Sequence, residues 1–244
     1  MQFALISAIV LLAADPAPPA VRLFEFGRDN SPGTLVNRTA GVPSQSPPDP
    51  TKPTLVVAHG LNPLHPWMHV SVAQRYADSL AARSGNAVNV LDWDWNAAAP
   101  LGVSLESDQH RAVSQGQKLA QALVGTGLDP ASIRLIGQSA GCTVVAAAAR
   151  HYVALTGRPL DQVILLDPVG SSHKVIFDQQ AVGSAANRVD HYWVPGASGF
   201  GKPANRSGVV DTQVAAPRKL RGWINPFKSD HMQAVRWHIN TVGW

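Results

Sequence analysis

The stretch Ser132-Ile133-Arg134-Leu135-Ile136 runs directly into Gly137-Gln138-Ser139-Ala140-Gly141, and an alanine-rich segment continues to Leu155 before Gly157. The first five residues read as a short, mostly apolar strand. Residues 139–155 read as a helix that Gly157 ends. Between them lies G-x-S-x-G, in the strand-to-helix setting that a nucleophile elbow needs. The two glycines permit a sharp turn with strand and helix packed closely. Ser139 then projects from its tip, where the helix N-terminus favours developing negative charge. The pentapeptide alone is a weak signal, because an ordinary Gly/Ser turn can have the same composition. Its place between a strand and a helix makes it specific.

Outward from this turn, short apolar runs alternate with longer amphipathic ones. Upstream, 54–58 (TLVVA) and 87–95 (AVNVLDWDW) read as strands, and 67–83 and 104–124 as helices. Downstream, 162–166 (QVILL) and 188–194 read as strands and 231–241 as a final helix. Strands alternating with helices imply a mostly parallel sheet with helices on both faces. Strands this apolar suit a sheet covered on both sides. Reactive groups in such sheets collect at the carboxyl ends of the strands. Residues 21–28 read as an opening strand. The Pro/Ser/Gly/Thr-rich stretch 30–53 and the Gly/Pro/Ser-rich stretch 195–217 read as long loops, the second near the site.

A chain of 244 residues suits a single domain, here 21–244. Its 45% hydrophobic and 15% charged residues describe a globular protein. The net charge is +4 and no run of five basic residues occurs, so no nucleic-acid partner is expected. One cysteine, Cys142, excludes an internal disulfide. Residues 1–20 hold an apolar segment, 3–14, that ends in small residues before Asp15-Pro16. It reads as a signal peptide, and hence export, although no basic residue precedes it. The competing reading is a buried first strand in a cytoplasmic protein. The segment is short for a bilayer span and no other approaches that length, so no integral membrane span is expected. Nothing in the composition marks an oligomeric state.

Taken together, His59-Gly60-Leu61 after TLVVA, the turn at Ser139, Leu166-Asp167-Pro168 and a late histidine resemble the α/β-hydrolase family. Within it, the esterases and lipases related to pancreatic lipase are the nearest likeness. The resemblance covers most of the chain from Thr54. It implies the α/β-hydrolase fold, a mostly parallel central sheet with helices on both faces. It also implies hydrolysis of a small-molecule or lipid carboxylic ester through an acyl-enzyme, with no cofactor. Ser139 would be the nucleophile, Gly137 and Gly141 the elbow glycines, and the backbone N–H groups of Leu61 and Ala140 the oxyanion hole. His59 reads as a loop brace, with a catalytic base as its alternative.

The acid should fall between serine and histidine in the chain. Asp167, directly after QVILL, occupies the position that the pancreatic-lipase-like group uses. In most other members the acid follows the next strand, where Asp211 and Asp190 are the alternatives. His231, in Ser229-Asp230-His231, is the expected base. His238 reads as a packing residue, and His173 and His191 as loop or strand residues. Cys142 reads as a small apolar side chain in the first helical turn. Trp67, Trp93 and Trp95 either shape an apolar acyl pocket or pack the core. Asp92 and Asp94 lack further ligands and read as structural, and no metal site is expected. The same nucleophile chemistry also serves an acyltransferase or an amidase. A catalytically inactive hydrolase fold used for binding is the reading from a different class.

Overall fold

In the computed structural model, residues 33–39, 46–61, 68–84, 87–95, 105–195, 201–215 and 230–241 are described. The expected strand at 21–28, the apolar segment 1–20 and Trp67 lie outside them. Seven strands form one sheet: β1 (Thr34–Asn37), β2 (Thr54–Ala58), β3 (Asn89–Asp94), β4 (Ile133–Gln138), β5 (Leu160–Leu166), β6 (Ala186–Trp193) and β7 (Val210–Gln213). Their spatial order is β1-β3-β2-β4-β5-β6-β7. Every neighbouring pair is parallel except β1 with β3. The helices are α1 (Met68–Ser84), α2 (Leu105–Thr126), α3 (Gly141–Thr156) and α4 (Gln233–Thr241).

Strand alternation divides the apolar side chains between two cores. On one face Val56, Leu91, Leu135, Val163 and Leu165 pack with α2 and α3. On the other, Leu55, Val57, Val90, Ile136, Ile164 and Leu166 pack with α1 and α4. TLVVA is buried at all five positions because it lies inside the sheet, flanked by β3 and β4 and covered on both faces. The mostly parallel sheet expected from the alternation is therefore present.

Two loop expectations are corrected. Residues 30–53 contain β1, antiparallel to β3, with Leu35 opposite Trp93. Residues 195–217 contain β7, parallel to β6. Both are four-residue edge strands. Pairing with a neighbour stabilises such strands more than an apolar face of their own, so hydrophobic periodicity does not reveal them. Just after β1, the Arg38 guanidinium meets Asp92 at 2.8 Å with both side chains almost wholly buried. Burial raises the Asp92 carboxyl to about 7 even so close to a guanidinium. Asp92 thus ties the edge of the sheet together.

Helices α2 and α3 approach closely because Gly116 of α2 faces the run Val144–Ala148 of α3. A Cβ at Gly116 would lie 2.4 Å from the Val144 carbonyl oxygen and 2.6 Å from the Ala147 Cβ. Alanine is the better helix former by about 1 kcal/mol, but overpacking typically costs about 1–3 kcal/mol. Gly116→Ala is expected to lower the urea midpoint. A raised midpoint would show that the two helices separate freely.

Helix α4 docks against α1 through His238, which is buried and hydrogen-bonded to the Tyr76 hydroxyl at 2.9 Å. Burial depresses the His238 imidazole to about 4. The unfolded chain takes up this proton near pH 6.5, whereas the folded chain refuses it until about pH 4. Stability present above pH 6.5 is therefore lost as the pH falls through that window, by about 2–3 kcal/mol. At pH 7, His238→Phe is expected to be less stable than wild type, having lost the Tyr76 hydrogen bond. The gap in urea midpoint should shrink between pH 7 and 4.5, and a constant gap would refute the assignment.

Candidate active site

Strand β4 ends at Gln138, in register with Leu166 at the end of β5. The next residues, Ser139 and Asp167, leave these adjacent parallel strands at the same step. Each prolongs its ladder by one bond, Ser139 N–H to Leu166 O at 3.1 Å and Asp167 N–H to Tyr192 O at 2.7 Å. Each then turns through positive φ, 56° at Ser139 and 49° at Asp167. For a non-glycine residue this conformation is strained and persists only where its surroundings over-determine it. Here the strand ahead and the elements behind supply that constraint.

The turn at Ser139 needs its glycines. A Cβ on Gly137 would lie 2.5 Å from the Gly141 carbonyl oxygen, and one on Gly141 would lie 2.2 Å from that of Ala58. Strand, turn and helix thus meet backbone to backbone. The helix begins at Gly141, with Ala140 as its N-cap, so Ser139 stands just outside it and not in its first turn. Cys142 is fully buried, its thiol hydrogen-bonded to the Gly137 carbonyl at 3.2 Å. Burial pushes that thiol well above its usual range, which suits packing and not nucleophilic attack.

Asp167 is fully buried and uses both oxygens. Oδ1 accepts the Val194 N–H at 3.1 Å, and Oδ2 meets His231 Nδ1 at 2.7 Å. His231 lies in a one-turn 3-10 helix, Asp230–Met232, ahead of α4, with its side chain about one-fifth exposed. Its Nε2 is 2.9 Å from Gln138 Nε2.

The two alternative aspartates are engaged elsewhere. Asp190 is buried within β6 and bound by Arg188 and Gln162. Asp211 accepts His191 Nδ1 at 2.7 Å and the N–H groups of Ala204 and Asn205, each at 2.9 Å. Burial alone would raise the Asp211 carboxyl, but those two N–H groups and His191 hold it below its ordinary range. His173 lies edge-on to Phe177 and His191, and burial lowers its imidazole to about 4.

The segment after β2 lies against the turn. A Cβ at Gly60 would sit 2.8 Å from the Ser139 Cβ. Leu61 and Ala140 line a narrow cavity of about 20 Å³ together with Ala112, Thr143, Val169 and Ser172. Thr143 Oγ1 is buried there without a hydrogen-bond partner among the described residues. His59 Nδ1 bonds the Gly60 carbonyl at 2.7 Å, and its ring stacks on Trp95, whose indole N–H bonds the His59 carbonyl at 3.0 Å. His59 therefore braces this loop. Trp93 and Trp95 are both buried in the core. A larger cleft, about 450 Å³, is lined by His173, Lys174, Phe177, Lys202 and Arg206 but by none of Ser139, Asp167 and His231. Ser139 and Asp167 lie away from this cleft, directly after the ends of β4 and β5.

Sequence reasoning missed Gln138 and Thr143. Gln138 is the variable position of G-x-S, and Thr143 lies four residues beyond Ser139. Thr143 is the third residue of α3, in its first turn, on a face that only the packed structure defines.

A mostly parallel sheet whose strand–turn–helix unit presents a serine, with an aspartate at the end of the next strand, has the α/β-hydrolase arrangement. No protein-family profile matches the chain, and no curated protein matches it. Among solved structures, it is similar to a phospholipase/carboxylesterase from Dyadobacter fermentans at 13% identity. That match covers 86% of this chain and 96% of the other, with a TM-score of 0.48. It is also similar to carboxyl esterase 2 of Tuber melanosporum, at 12% identity, 80% and 82% coverage and a TM-score of 0.45. A third likeness is to the NocB thioesterase domain, at 15% identity, 77% and 95% coverage and a TM-score of 0.40.

Proposed function

We propose that the protein is a serine hydrolase that cleaves carboxylic esters through an acyl-enzyme. One observation carries this reading. Ser139 and Asp167 leave neighbouring strands at the same register step, and Asp167 Oδ2 holds His231 Nδ1 at 2.7 Å. The Asp167 carboxylate can only accept, so the His231 proton lies on Nδ1 and Nε2 is left as the base. Ser139 Oγ attacks the ester carbonyl carbon and its proton passes to His231 Nε2. Asp167 stabilises the resulting imidazolium. The N–H groups of Leu61 and Ala140 receive the oxyanion, and such donors are each worth about a hundredfold or more in rate. The tetrahedral intermediate collapses, and the leaving alkoxide takes the proton from Nε2. Water then repeats the sequence on the acyl-enzyme and frees the acid and Ser139.

A fluorophosphonate probe tests this reading. Phosphonylation of the peptide that carries Ser139, absent in Ser139→Ala, is the expected result by mass spectrometry. A folded wild-type protein that does not react would refute it. A series of p-nitrophenyl esters of rising acyl length then separates esterase from lipase.

A further inference from the structure

We propose that Gln138 is a positioning residue, which bridges the Gly60 N–H to His231 Nε2 and holds the imidazole ready for Ser139. The proposal rests on the reading of Ser139 as nucleophile, but the bridge itself does not.

The direction of every bond in the bridge follows from its two ends. At one end the Gly60 backbone N–H can only donate, and it meets Gln138 Oε1 at 3.1 Å. This orients the amide, so the Gln138 NH₂ group faces His231 Nε2 at 2.9 Å. An amide NH₂ only donates, so Nε2 accepts and the imidazole proton lies on Nδ1. At the other end Nδ1–H donates to Asp167 Oδ2 at 2.7 Å, and Asp167 Oδ1 accepts the Val194 N–H at 3.1 Å. The chain is consistent throughout and selects the one tautomer whose Nε2 can act as a base.

The bridge also joins three elements that the reaction must hold together. Gly60 adjoins Leu61 on the segment after β2, Gln138 ends β4, and Asp167 follows β5. Gly60 is needed for the approach, because a Cβ there would lie 2.7 Å from Gln138 Oε1. Gln138 is buried and precedes Ser139 directly, and under the hydrolase reading amide and hydroxyl take turns as donor to the one nitrogen. When Ser139 Oγ–H takes Nε2, the amide stays anchored on Gly60 and the imidazole is already oriented.

Two variants separate this role from space-filling. Leucine at 138 removes both contacts. Glutamate keeps the acceptor for Gly60 but has no proton to give to His231. Imidazole ¹⁵N spectra of the full chain provide a readout independent of turnover. In Gln138→Leu the His231 Nε2 resonance should move downfield, as an imine nitrogen does on losing a donor. In Gln138→Glu it should move the other way, toward the N–H type. Turnover number on a short p-nitrophenyl ester should fall about tenfold in Gln138→Leu, with KM within about twofold, the pattern of lost preorganisation, and further still in Gln138→Glu, where the proton on Nε2 blocks the base. Unchanged nitrogen resonances in both variants would overturn the bridge. Shifted resonances with unchanged turnover would overturn the positioning role. Failure of the wild type to react with the phosphonate probe would instead refute the hydrolase reading, and the nitrogen shifts would still decide the bridge.

Discussion

Ser139→Ala is expected to lower ester turnover by about a thousandfold or more while the fold persists. Removing a member of a serine triad leaves only the residual catalysis supplied by binding and the oxyanion hole. The fold should survive because what holds this position is backbone. Ser139 N–H bonds Leu166 O at 3.1 Å, and the Cys142 N–H bonds Ser139 O at 3.0 Å. Alanine keeps both bonds and meets the positive φ of 56° at a similar cost. Circular dichroism and the urea midpoint should therefore match wild type. Turnover near the wild-type value would remove Ser139 from the mechanism.

Asp167→Asn is expected to cost about ten-thousandfold in turnover, by analogy with the equivalent change in a serine protease. Asparagine has the same shape, tolerates the positive φ at this position and can still accept the Val194 N–H. Its amide N–H, however, would face His231 Nδ1 and force that nitrogen to accept. The imidazole proton then moves to Nε2, and the base is lost. Asp211→Asn makes the useful contrast. That carboxylate serves His191 and the N–H groups of Ala204 and Asn205. Its loss should cost about 1–2 kcal/mol of stability and leave turnover within severalfold of wild type. The reverse ranking would place the acid after β6.

The elements that could be read from the sequence carry their information locally. TLVVA and QVILL are apolar runs bounded by turn residues, and α3 is an alanine-rich run closed by Gly157 in the left-handed region at φ 69°. The turn at Ser139 was legible for the same reason, since strand, glycines, serine and helix follow one another without interruption. Edge strands β1 and β7 were not legible, because their stability comes from distant partners, such as Leu35 with Trp93, 58 residues on, and Asp211 with His191, 20 residues back. Nothing local marks Gln138, because its partners Gly60 and His231 are 78 and 93 residues distant.

By itself the sequence determined the alternation of strand and helix, the sharp turn at Ser139, and a set of three aspartates with one favoured histidine. A period, a glycine or a chain order can be read from neighbours alone, and each of these needed nothing more. Only the tertiary structure decided which aspartate meets that histidine. Asp190 is held by Arg188 of its own strand and by Gln162 of β5, and Asp211 by His191 across the β6–β7 pair. His231 is carried to Asp167 by α4, which packs Ala234 and Val235 into the core shared with α1. A contact across 64 residues depends on how two faces of one sheet are covered, and no local pattern encodes that distance.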